Sequence, residues 1–250
     1  AMSRREDELE VEGKYIQCDG RDLPMRMPIA SYAELKELPA ALVNSAARQS
    51  PSALETYAAP LVLAGRDVAI VGAAPHGDEQ IAPLLLALLC QLALDAKASP
   101  ASMAKPAPAK TELSKTSATD TQVCRPRALM IVPTRSLAAY AIDGVRKLSS
   151  GTTILSARAS GGVPIDASVA ECRPDVDLVV ATPGRLQDLL DRGAASLAGV
   201  RFLILVGADA IFDGGYDAHL RRVVLDEGMP PPLQRQTVLS CAGMTAALKR

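Results

Sequence analysis

The stretch LILVGADAIFDGGY, Leu203 to Tyr216, holds the residues that come closest to metal and water chemistry. Four apolar residues rise into a turn, as a buried strand does. Carboxylates at the carboxyl end of such a strand hold a metal ion and orient a water for hydrolysis. Here the turn reads Val206-Gly207-Ala208-Asp209, so only one of those positions carries a carboxylate. The other reactive side chains form no recognisable set. Cys18, Cys90, Cys124, Cys172 and Cys241 are scattered without a CxxC pair, and His76 and His219 are the only histidines. No zinc or histidine-rich metal site is expected, and the cysteine usage fits a reduced intracellular compartment, read as nuclear or cytoplasmic without ruling out an organelle.

The chain that must position that turn has 250 residues, enough for one sizeable α/β domain. Its formal net charge is −1, so any nucleic-acid site must be a local feature rather than an overall basic field. Trp is absent, which weakens a base-stacking platform. The longest apolar run, Ile81 to Leu94, contains Pro83 and Gln91 and is too short to span a bilayer. The start, AMSRREDELE, is charged and shows no signal peptide, and Ala1-Met2 reads as a tag scar.

Residues 1–30 read as a polar arm, and 31–250 as one domain. Within it, 32–49 read as one or two short helices that end at Ser50-Pro51. Helices are then expected over Ala53–Leu63, Asp78–Leu94, Ser136–Leu148, Ile165–Glu171, Gly184–Asp191 and Tyr216–Leu225. Strands are expected over Val68–Val71, Ala128–Val132, Thr152–Ala157, Asp177–Ala181, Phe202–Val206 and Gln236–Cys241. Residues 97–122, rich in Ala, Pro, Ser, Thr and Lys without periodicity, read as a disordered insertion. Short apolar strands alternating with helices imply a parallel sheet covered on both faces, with ligands at the carboxyl ends of the strands.

The unusual motifs lie at strand ends: GRDV at 65–68 precedes a strand that leads to GAAPHGDE, PTRSLA at 133–138, SGG at 160–162, VVATPGRLQDLL at 179–190 and FDGGYDAHL at 212–220 come at or after strands, and RQTVLS at 235–240 runs into the last one. In order and spacing they resemble the first RecA-like domain of the DEAD-box RNA helicases, over roughly residues 30–245. The arm most resembles Abstrakt-type members, a spliceosome-linked branch. The resemblance implies a three-layer RecA-like α/β fold with a parallel central sheet, and RNA as the partner. ATP and magnesium are the family's cofactors. The family's second RecA-like domain is not expected in this chain.

Against that family the nucleotide-facing positions depart together. Glu55 stands where the family's adenine-reading glutamine would be. In the phosphate loop Pro75 replaces the first glycine and Gly77 is kept, while Asp78 and Glu79 replace Lys and Ser/Thr. Val206 and Gly207 replace the Asp and Glu of DEAD, Asp209 remains, and the SAT motif aligns with Cys241-Ala242-Gly243. A phosphate loop works by aiming N–H groups, a helix N-terminus and a cation at the anion. Pro75 removes an N–H. Asp78 reverses the charge, and two unit charges 4 Å apart interact by about 4 kcal/mol at an effective dielectric near 20. Micromolar affinity is only about 8 kcal/mol. No ATP binding, no hydrolysis and no catalytic residues are therefore expected, and no cofactor.

The retained motifs are, by resemblance, the RNA-backbone contacts. They place Pro133, Thr134, Arg135, Gly161, Gly162, Thr182, Pro183, Gly184 and Arg185 on RNA. Plainer readings stand beside these. Thr182 and Pro183 suit the N-cap and first position of a helix. Arg135 can pair with a surface carboxylate, Asp209 can cap or pair internally, Glu55 can be locally paired, and Cys241 has no paired histidine. The sequence reads as a non-catalytic RNA-binding or scaffold component of an RNA-processing assembly, with protein partners there and no membrane. The alternatives are a protein-interaction module without RNA contact, or the N-terminal half of an ATP-dependent RNA helicase with unorthodox motifs.

Overall fold

The computed structural model describes residues 4–11, 14–21, 29–34, 39–42, 52–72, 78–98, 123–225 and 228–243. Six strands build the central sheet: β3 (Val68–Val71), β4 (Ala128–Ile131), β5 (Ser156–Ala159), β6 (Leu178–Ala181), β7 (Phe202–Leu205) and β8 (Gln236–Cys241). All are parallel, in the order β3-β8-β7-β4-β6-β5. Between them run α1 (Ala53–Leu63), α2 (Asp78–Ala98), α3 (Arg135–Leu148), α4 (Ile165–Glu171), α5 (Pro183–Asp191), α6 (Ala208–Ile211) and α7 (Asp217–Leu225). Among the described residues, no helix is long and apolar enough to cross a membrane.

The sheet is apolar on both faces because helices cover both. In β4, all four residues are buried. Side chains alternate along a strand, so Ala128 and Met130 join the cluster of α1, α2 and α3, while Leu129 and Ile131 join that of α5, α6 and α7. The result is the three-layer α/β arrangement of a RecA-like fold. Every strand of the sheet ends on the same side, so the segments after β4, β5, β6, β7 and β8 converge there.

Polar side chains close the ends of elements inside this framework. The last carbonyls of a helix lack partners within it. At α1 two amides supply them: Gln91 Nε2 donates to Val62 and Leu63 oxygens at 2.7 and 3.0 Å, and Gln236 Nε2 to those of Val62 and Arg66 at 2.9 and 2.6 Å. Gln91, the one polar break late in the apolar run, is thus a cap for a neighbouring helix.

Several expected boundaries shift. Within the polar arm, β1 (Arg4–Val11) and β2 (Lys14–Arg21) form an antiparallel pair, although RREDELEV lacks the apolar alternation by which strands are read. β5 lies at 156–159 rather than 152–157, because Leu155 N–H donates to Asp177 Oδ2 before the ladder begins, and the strand itself, SARA, uses small residues. The helix expected from Tyr216 starts at Asp217, but α6 precedes it directly after β7, and a wide turn over Phe212–Tyr216 joins them with Gly215 at φ 80°. α2 extends to Ala98, while 99–122 lie outside the described residues. Of the helices expected over 32–49, only a 3₁₀ turn at Tyr32–Glu34 and helical residues 40–42 fall within them.

At the opposite, amino end of the sheet, Arg127 ties the strands together. Its Nε and Nη2 donate to Asp177 Oδ1 at 3.1 and 2.9 Å, and its Nη1 donates to the Leu92 carbonyl at 3.0 Å and reaches Asp95 at 3.4 Å. Asp95 also pairs with Arg201, the residue before β7. Arg127→Ala leaves these acceptors without their cation, so urea unfolding should show a loss of about 2–4 kcal/mol. Arg173→Ala, which breaks only the exposed pair with Asp175, should cost less than about 0.5 kcal/mol in the same assay.

Candidate functional site

The motifs meet at the carboxyl ends of the strands and fall into two sets with opposite character. The first surrounds the turn after β7. Val206 is fully buried in the sheet's apolar cluster, and its N–H donates to the Ile131 carbonyl at 2.9 Å. It continues the strand into the core and offers nothing to a metal. Gly207 adopts φ 60°, ψ 47°, the left-handed conformation that favours glycine, and its N–H donates to Ser240 Oγ at 3.3 Å. A methyl group built there would meet Pro133 Cγ at 3.4 Å, so the turn and the PTR segment pack directly on each other. Asp209 Oδ2 accepts the N–H of Ala242 at 3.1 Å. The carboxylate that survives at this strand end therefore bridges β7 to the segment after β8.

Cys241 lies under that bridge, 1% exposed. Burial, reinforced by the Asp209 charge, raises its thiol pKa against an opposing hydrogen bond from the Gly243 backbone. It is a neutral packing residue, as the missing histidine suggested. Gly243 itself is half-buried with open space around it.

Glu55 is also occupied. It forms a capping box with Ser52 at the start of α1: Glu55 Oε2 accepts from Ser52 N–H at 2.6 Å, and Ser52 Oγ accepts from Glu55 N–H at 3.3 Å. Tyr32 hydrogen-bonds to the same carboxylate, and burial together with that bond raises the phenol's pKa. Asp78 and Glu79 open α2, but their side chains, with Pro75 and Gly77, lie outside the described residues.

The second set lines the ends of β4, β5 and β6. Thr134 caps α3, its Oγ accepting from Leu137 N–H at 3.2 Å. Arg135 is exposed and lies across the turn after β5. Methyl groups built on Gly161 and Gly162 would sit 2.8 Å from its Nε and 3.2 Å from its Nη1. A methyl on Gly161 would displace the flexible end of the Arg135 side chain, while Gly162, at φ 95°, favours glycine by its backbone. Arg135 forms no hydrogen bond or ion pair with any described residue, so the expected surface carboxylate partner is not found among them. Its charge faces solvent.

Arg185 behaves differently. Its side chain is 11% exposed, and it donates to Ser168 Oγ at 2.6 Å and to the Val163 carbonyl at 2.8 Å, with Asp188 3.5 Å from Nε. It anchors the segment after the glycine turn. Thr182 is the N-cap of α5 and Pro183 its buried first residue, as their types suggest. The Thr182 hydroxyl makes no capping bond, while its N–H donates to the Ala159 carbonyl at 2.9 Å. Gly184 is packed 3.9 Å from the Tyr216 ring, measured from a methyl built on it, and His219 meets that ring edge-on at 5.9 Å between centroids. Ser168, Ser240, Tyr32 and Tyr216 were not legible as site residues. Each acts through a long-range contact that no local pattern marks.

A parallel α/β sheet with this order of motifs at its strand ends is the class of a RecA-like helicase domain. The family model for DEAD/DEAH box helicases matches residues 85–250, and the chain belongs to that family. It is similar to the DEAD-box ATP-dependent RNA helicase 52A of Oryza sativa subsp. japonica, 29% identical over 250 residues, covering 99% of this chain and 38% of that protein. The chain thus spans well under half the length of this relative.

Because Gly207 is held left-handed, Gly207→Ala should lower the unfolding free energy by about 1–2 kcal/mol in urea titration. Asp209→Ala, which removes one charge-assisted bond to an exposed N–H, should cost about 1 kcal/mol or less.

Proposed function

We propose that this chain is a DEAD-box-type domain that neither binds nor hydrolyses ATP and that contacts an RNA backbone at the ends of β4, β5 and β6. In that role it serves as an RNA-binding or scaffold component of an RNA-processing assembly. The observation that carries the reading is the contrast between the two sets. Among the described residues of the nucleotide-facing set, Asp209 and Glu55 already accept backbone N–H groups and Val206 is buried in the core, so none is set aside for magnesium or water. Arg135 is a cation without a described partner, laid over a turn in which two glycines leave backbone open beside it. An exposed guanidinium next to accessible N–H groups suits a phosphate oxygen.

Arg185 is engaged internally, so of the two expected cations only Arg135 has no partner among the described residues, which favours the second reading, a protein-interaction module. Salt dependence separates the two. Titration of a short single-stranded RNA should show affinity that falls with salt, and Arg135→Glu should weaken it by about tenfold and flatten the slope by about one. Gly161→Ala should act in the same direction by pushing Arg135 aside, with unchanged stability. No measurable RNA affinity at low salt would instead support the interaction module, and binding that neither variant weakens would remove these residues from the RNA contact.

Calorimetry with ATP, ADP and magnesium tests the other half. Silence to millimolar nucleotide is expected. Micromolar binding would restore the reading of an ATP-dependent helicase half with unorthodox ligands.

A further inference from the structure

The seam between α5 and α7 carries an aromatic pair with no part in the core. Two contacts join the helices along it. A methyl built on Gly184 would sit 3.9 Å from the Tyr216 ring, and Asp191 Oδ1 accepts from Arg222 Nη2 at 3.3 Å. His219 stands between these contacts, one turn after Tyr216 and one turn before Arg222. It is exposed, and it meets the half-buried Tyr216 ring edge-on at 5.9 Å between centroids. The wide turn over Phe212–Tyr216 delivers the tyrosine to this place. A methyl on Gly214 would come 3.4 Å from the same ring, so the ring lies between two residues without side chains.

The pair is continuous with the turn under Arg135. Gly184 is followed by Arg185, whose Nη2 donates to the Val163 carbonyl at 2.8 Å. Val163 is 39% exposed and follows Gly162, beside which Arg135 lies. The electrostatics change along this path. Arg135 has no partner among the described residues, whereas Arg221 and Arg222, next to His219 on α7, bond to Asp217 at 2.7 Å and Asp191 at 3.3 Å. At the seam the cations are matched by carboxylates, and what it presents is ring surface.

We propose that Tyr216 and His219 stack a nucleobase of a single-stranded RNA whose backbone passes over Arg135, Gly161 and Gly162. This contact rests on the RNA-binding role proposed for that turn and adds the class of nucleic acid it takes. Every base has a π face, so an exposed ring accepts bases without reading sequence. In a duplex the bases are stacked on one another, whereas tyrosine and histidine rings take bases splayed out of a single strand. An edge-on pair leaves uncovered ring faces that a stacked pair would hide. With Trp absent from the chain, stacking falls to these smaller rings.

The test compares two probes on the whole chain by fluorescence anisotropy at low salt. One is an oligoadenylate RNA of about 12 nucleotides, and the other is an abasic ribose-phosphate strand of equal length. His219→Ala should weaken oligoadenylate by about tenfold, leave the abasic strand unchanged and keep the salt slope. His219→Phe should restore the affinity, because it returns a ring. Arg135→Glu should weaken both probes. Irradiation of the wild-type chain with a thiouridine-substituted RNA should crosslink the peptide that carries Tyr216 and His219, a readout that needs no variant. Equal weakening of both probes by His219→Ala would mean a backbone contact in place of stacking and would overturn the proposal. So would an unaffected affinity with no crosslink on that peptide, and in that case salt-dependent binding lost with Arg135→Glu would leave the RNA reading standing. No binding of either probe at low salt would overturn both.

Discussion

The structure depends first on the register in which its parallel strands begin. Parallel pairs receive no help from tight turns, so something must fix where each strand starts. Arg127 does this from the residue before β4. Its carbonyl accepts the N–H groups of Arg201 and Phe202 at the head of β7, and its own N–H and that of Ala128 donate to Asp177 O at the head of β6. Its guanidinium binds the Asp177 carboxylate, whose other oxygen takes Leu155 N–H ahead of β5. The heads of β7, β6 and β5 are thereby referred to one residue, through its backbone and its side chain together. With short strands and a common start, the carboxyl ends come level, and the motifs after them become neighbours.

At those ends the same physics produces two outcomes. Around β7 and β8 the polar groups have been drawn into the fold: Asp209 onto Ala242, Gly207 onto Ser240, and Val206 into the core. A buried valine is compatible with a packed strand end, whereas a buried carboxylate would need a metal or a donor to offset its desolvation. The strand and turn therefore persist comfortably without the chemistry. Around β4, β5 and β6 the scaffold does the reverse. Arg185 reaches back to Ser168 and Val163 and stiffens the segment behind the glycine turn, while Arg135 rests on that turn with its charge outward. One arginine builds the surface and the other equips it.

The sequence by itself determined a good deal of this. Apolar runs of strand length alternating with helices implied the parallel sheet, because a sheet with helices on both faces must be apolar on both. Local rules also placed most element boundaries, and Ala53–Leu63, Ile165–Glu171 and Gln236–Cys241 occur as read. The substitution of oxygen-bearing side chains by Val206 and Gly207 was visible at once, since chemistry that needs a carboxylate can be excluded by residue type alone. Where the reading slipped, at β1, β2 and β5, the strands were made of charged or small residues that carry no apolar alternation.

What only the tertiary structure decided is which polar groups are already engaged. Arg135 and Arg185 look equivalent as residues, each in a motif after a strand, yet one is exposed and the other tied down by contacts 17 and 22 residues away in the chain. The pairing of Glu55 with Tyr32 and the bridge from Asp209 to Ala242 likewise join residues far apart in sequence. Residue type sets what a side chain can donate or accept. Whether that capacity remains for a ligand depends on partners that only folding brings within reach.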